Sequence, residues 1–210
     1  MFTEIDKVLY PKKCEVIQTA SHEFIYPIFK NGSTSLCETA EENKWKIILN
    51  DQIFDCKNII VFLRDPIERT ISGINTYVNN LITDDLDEKT IIYFVNNYLF
   101  LNRHYMPQIL WLIHLARYAN PKCILHIKDI NDIKIYSNKF ENKSEKSNNY
   151  YHEFIEKIKF YIEADFYLLK YVDKSISLSD LFLNYKKDCY NSYKHIFDYS
   201  ENIINALPKN

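Results

Sequence analysis

Residues 24–36 read FIYPIFKNGSTSL, and the chain continues at 37–45 as CETAEENKW. The apolar, aromatic stretch at 24–29 predicts a strand, KNGSTS supplies turn and N-cap chemistry, and the residues that follow predict the opening of a helix. Strand, loop and helix in that order leave unpaired backbone N–H groups and a positive dipole end facing whatever lies above the loop. Such a junction suits a phosphate. Gly32 permits close approach of the backbone, Asn31 lies in the same loop, Ser33, Thr34 and Ser35 add hydroxyl donors, and Lys30 adds a mobile positive charge. Taken alone, the segment equally describes a Ser/Thr-rich helix cap beside an exposed lysine.

Working outward, KIILN at 46–50 and NIIVFL at 58–63 are short and β-branched, as buried parallel strands tend to be. Arg64-Asp65-Pro66 follows the second of these, and Pro66 suits the first turn of a helix running to about Leu81. Helical patterns return in DEKTIIYFVNNYLF at 87–100, in PQILWLIHLARYA at 107–119, at 150–172 and from about Ser179, interrupted by a short strand, CILHI, at 123–127. Residues 137–149 are polar without periodicity and predict a mobile surface loop. Strands alternating with helices predict an α/β protein, an open and mostly parallel sheet flanked by helices on both faces. One domain is expected over 1–210, with an anion-binding core at about 24–82 and a helix-rich C-terminal part at about 88–210.

Composition narrows the function classes. The 26 basic and 28 acidic side chains give a formal charge of −2, so no global field draws the chain toward nucleic acid or an anionic membrane. An anion site must then be local. No apolar run reaches the roughly 18 residues of a membrane span, and the start lacks the pattern of a secretory signal, which together predict a soluble, cytoplasmic protein. Cys14, Cys37, Cys56, Cys123 and Cys189 form no C-x-x-C pair and read as reduced, small hydrophobes rather than disulfides or a zinc site. Only two glycines occur, Gly32 and Gly73, where average usage would give about fifteen. Both fall within the two segments that carry the chemistry.

The lysine precedes the glycine, so the segment does not fit the G-x-x-x-x-G-K-[ST] pattern of nucleotide-binding loops. The order K-x-G-[ST]-[ST]-[ST] after an apolar strand is instead similar to the 5′-phosphosulfate loop of sulfotransferases. IIVFLRDPIERTISGI at 59–74 strengthens the likeness. Its Arg64, Asp65, Pro66, Arg69 and Ser72 match the R-[DN]-P-x-x-R-x-x-S pattern with which that family binds the 3′-phosphate of its donor, 3′-phosphoadenosine 5′-phosphosulfate (PAPS). The chain thus resembles a PAPS-dependent sulfotransferase with a P-loop-like fold. Asn102 to Gln108 looks like the H-x-x-P-Q element of the carbohydrate sulfotransferase branch, and YIEADFYLLKY at 161–171 is similar to its Y-x-x-D-F-x-L helix, with Asp165 and Phe166 matching. The likeness runs from about residue 24 to 172.

The resemblance implies donor binding by Lys30, Asn31, Gly32, Ser33, Thr34, Ser35, Arg64 and Ser72, without a metal. It implies that Lys30 stabilises the bridging oxygen as the sulfuryl group departs, and that the acceptor is a hydroxyl, with the carbohydrate branch pointing to a carbohydrate. Arg69 reads as a structural partner of Asp65 or Glu68, and Gly73 as a packing residue. Sulfuryl transfer is a loose in-line displacement in which positioning and electrostatics carry most of the catalysis. A base must take the acceptor's proton, and Glu38, Asp51 and His104 are the candidates. Asp51 ends the second predicted strand on the edge of both loops, whereas His104 belongs to the H-x-x-P-Q element. Family members that place a catalytic His or Glu between the two motifs find no histidine there in this chain. A P-loop-like nucleotide kinase and a nucleotide-binding module without catalysis are the rival readings.

Overall fold

The computed structural model describes residues 14–81, 107–139, 163 and 165–188. The helix predicted at 87–100, His104, Cys189 and most of the 137–149 loop and of the 150–172 helix lie outside the described residues.

Among the described residues six strands form one sheet: β1 (Glu15–Gln18), β2 (Phe24–Tyr26), β3 (Lys46–Leu49), β4 (Asn58–Leu63), β5 (Ile124–Asp129) and β6 (Lys174–Ser177), in the order β3-β1-β2-β4-β5-β6. Helix α1 (Ser33–Glu42) follows β2, α2 (Pro66–Leu81) follows β4, α3 (Gln108–Ala116) precedes β5, and a further helix, α4, spans residues 178–188. The α/β class and the open sheet agree with the sequence. Its parallel character is narrower than expected. Only β2 with β4 and β4 with β5 pair in parallel, while β1 pairs antiparallel with β2 and β3, and β6 antiparallel with β5. For β1 and β2 the reason is chain length: a parallel crossover needs a dozen or more residues, and the turn at 19–23 is too short for one. It closes as a hairpin, with Thr19 N–H donating to Glu23 O at 2.9 Å. Strand β3 is consequently an outer strand beside β1, not a neighbour of β2.

Each face of the sheet has its own core. On one, Val16, Tyr26, Ile59, Val61, Leu63, Leu125 and Ile127 pack with α3 and with Leu181 and Tyr185 of α4. On the other, Ile17, Ile25 and Phe62 pack with Leu36 and Ala40 of α1 and with Ile130 and Ile133 from a 3-10 turn. Alternation along β4 sends Ile59, Val61 and Leu63 one way and Phe62 the other, as period-two geometry requires. Helix α3 is buried from Gln108 through Leu115, the condition of a helix apolar on nearly every side.

Candidate functional site

Strands β2 and β4 pair with Ile25 opposite Ile60 and Tyr26 opposite Val61, so both chains leave the sheet at one edge, about 4.8 Å apart. The first loop then turns sharply. Lys30 has φ 67° and Gly32 has φ 72°, both in the left-handed region. Glycine adopts it without penalty, whereas a β-carbon costs about 1–2 kcal/mol there. Gly32 is the N-cap of α1, and its carbonyl accepts from Leu36 N–H at 3.0 Å. As N-cap, Gly32 brings no side chain to this helix end, and the first-turn N–H groups of a helix have no intrahelical partner.

In the second loop, Asp65 Oδ1 accepts from Glu68 N–H at 2.9 Å and Pro66 opens α2, an N-cap followed by proline at the first helical position. Arg64 is buried, and its Nε lies 3.5 Å from Glu68 Oε2. Ser72 is half-buried, about two turns into α2. Burial holds the Lys30 ammonium below its ordinary pKa, and the charges of Arg69 and Arg64 push it further down. Lys30, Arg64 and the buried Arg69 thus lie close enough for both guanidinium charges to act on the ammonium, with Glu68 beside Arg64 and Asp165 within reach of the Arg69 charge.

Beneath these groups lies a buried polar knot. The Gln108 side chain binds both backbone groups of Arg64: Oε1 accepts from Arg64 N–H at 3.0 Å, and Nε2 donates to Arg64 O at 3.0 Å. Asn31 Nδ2 donates to the same Gln108 Oε1 at 2.6 Å and to Phe62 O at 2.7 Å. Asp165 caps α3, accepting from Gln108 N–H at 2.6 Å and Ile109 N–H at 3.0 Å. Burial raises the Asp165 carboxyl pKa, opposed by the Arg69 charge and by these N–H donors. Arg69, fully buried, donates from Nη2 to Phe29 O at 3.0 Å.

The structure brings Lys30, Gly32, Ser33, Thr34, Ser35 and Arg64 to one end of the sheet, on two strand–helix junctions, while Ser72 lies about two turns into α2. Asn31 is there too, but its N–H groups turn inward: the backbone N–H donates to Ile28 O at 3.0 Å and the amide is committed to Phe62 and Gln108. Arg69, expected to partner Asp65 or Glu68, is buried: its Nη2 donates to Phe29 O at 3.0 Å, its charge acts on Asp165, and its backbone N–H donates to Asp65 O at 2.9 Å. Asp51 is exposed in the 3-10 turn Asn50–Asp55 after β3, two strands from β2, hence about 10 Å across the sheet. Glu38 is exposed on α1, and His104 lies outside the described residues. Sequence reasoning gave Gln108 and Asp165 no role, although both stand in the motifs quoted for the resemblance.

Compared with known proteins, the chain matches no family model, no curated protein and no solved structure. Among the described residues no three His, Cys, Asp or Glu side chains converge as a metal site, and no helix is long and apolar enough to cross a membrane.

Proposed function

We propose that the chain is a PAPS-dependent sulfotransferase acting on a hydroxyl acceptor, with carbohydrate as the acceptor class. The observation that carries this reading is the parallel pairing of β2 with β4, which sets the Lys30 loop beside Arg64 at one sheet edge. A donor with phosphates at both ends of its ribose has use for two such sites; a nucleotide lacking the 3′-phosphate has use for one. When bound, PAPS supplies the activated sulfuryl group. The first-turn N–H groups of α1 and the hydroxyls of Ser33, Thr34 and Ser35 hold the 5′-phosphate, while Arg64 and Ser72 hold the 3′-phosphate. Lys30 neutralises the charge that develops on the leaving oxygen. The acceptor's proton goes to His104, with Asp51, exposed on the turn after β3, as the alternative base. The proposed setting is cytoplasmic, in keeping with the free thiols of Cys14, Cys37, Cys56 and Cys123.

The test is PAPS turnover over a panel of hydroxyl acceptors that includes glycans. Turnover should fall as pH drops through about 6 to 7, and His104→Ala should remove that limb and most of the rate with PAP (3′-phosphoadenosine 5′-phosphate) affinity nearly unchanged. Near-normal turnover in His104→Ala, with Asp51→Asn inactive, would move the base to Asp51. ATP consumption in place of PAPS turnover would favour the kinase reading.

A further inference from the structure

Gln108 spends its whole side chain on the backbone of Arg64 and on Asn31, although it lies fully buried where an apolar residue would pack without needing partners. By bonding Arg64 N–H and O together, it does what a neighbouring strand would do, past the point where β4 ends at Leu63. Through Asn31 the same amide holds the loop between Lys30 and Gly32, and Asn31 in turn holds Phe62 O. Asp165 fixes the Gln108 backbone, and Arg69 ties the Phe29 carbonyl to the neighbourhood of the Asp165 charge. Every link made by Asn31, Gln108 and Asp165 is buried, and that of Arg69 to Phe29 partly so; loosening a buried one strands a polar group away from water. The knot therefore has few intermediate states.

From this geometry we infer that Gln108 and Asp165 are positioning residues that set the span between the Lys30 loop and Arg64, so that both phosphates of one nucleotide are gripped together. The inference rests on the donor reading above. Two anchors at a fixed span convert the second contact into an intramolecular one, an advantage lost when the span fluctuates. The advantage appears as the ratio of PAP to AMP affinity, since AMP engages one anchor only. Loss of packing alone would lower stability and leave that ratio unchanged in the folded fraction.

Calorimetric titration of wild type, Gln108→Met and Asp165→Asn with PAP and with AMP gives the ratio for each. The two variants should lose at least about tenfold in PAP affinity while AMP affinity changes little, one tenfold step being about the worth of a single buried hydrogen bond. Because a variant can fail to fold, wild-type hydrogen exchange supplies a second reading. Saturating PAP should slow exchange at the Gln108 and Ile109 N–H groups, which bind Asp165 rather than any ligand. An undiminished PAP-to-AMP ratio in folded variants, or unchanged Ile109 exchange with PAP bound, would overturn the positioning role and leave the donor site standing. Wild type that binds PAP no better than AMP would overturn the donor reading and this inference with it.

Discussion

Lys30 sits in the left-handed region although glycine stands only two positions away, at a cost of about 1–2 kcal/mol. Its lowered pKa comes from burial first and then from the Arg69 and Arg64 charges. Binding of a multiply charged anion would reverse both the desolvation deficit and the mutual repulsion of these cations. On this account Lys30→Ala lowers turnover far more than it weakens PAP binding, because its contact strengthens as the leaving oxygen gains charge. Arg64→Ala should mainly weaken donor binding. Steady-state kinetics beside PAP titrations check this, and equal ratios of kinetic to binding loss in the two variants would refute the division of roles. The residue types and spacings at Lys30, Arg64 and Ser72 were legible in the sequence. The inward turn of Asn31 was not, because its direction is set by Phe62 O and by Gln108, residues far away along the chain.

Helix α3 links the site to the core. Gln108 and Ile109 at its start belong to the polar knot, while Trp111, Leu112, Ile113 and Leu115 pack in the larger core. Within that apolar setting stands His114, buried, with Nδ1 3.4 Å from Tyr26 Oη; the Tyr26 hydroxyl also donates to Trp111 O at 3.0 Å. Burial, with a smaller contribution from Arg117, lowers the His114 pKa from 6.5 to about 4. The unfolded chain thus binds a proton that the folded helix refuses, so stability falls as pH drops from about 6.5 toward 4. The full difference is about 3 kcal/mol, lost below that window and retained above it. Denaturant unfolding of wild type and His114→Leu across pH 4 to 7 checks this: the wild-type value should decline relative to the variant as pH falls, and a constant difference would contradict it. The sequence made α3 legible through its apolar run and α2 through Asp65-Pro66. Strands β1 and β6 were not anticipated, because each is four residues long and neither carries an extended apolar run.

For the whole molecule, the path of the chain decides what can act together. The sequence pattern predicted strands at 24–29, 46–50, 58–63 and 123–127 correctly in kind, but not their order, because short β-branched runs look alike whether central or outermost. The hairpin between β1 and β2 places β3 two strands from β2, and with it Asp51. The pairing of β2 with β4 keeps the two strand–helix junctions together. That adjacency is the basis of the central claim: one ligand bridges both junctions. Thermal unfolding of the wild-type protein with PAP and with AMP at equal concentrations is the most direct test. At a hundredfold excess over its dissociation constant, PAP should stabilise the fold by about 2.7 kcal/mol, a rise of roughly 5–10 °C in Tm for a chain of this size, with AMP producing much less. Equal shifts with the two nucleotides would show that Arg64 and Ser72 meet no 3′-phosphate, and would contradict the account.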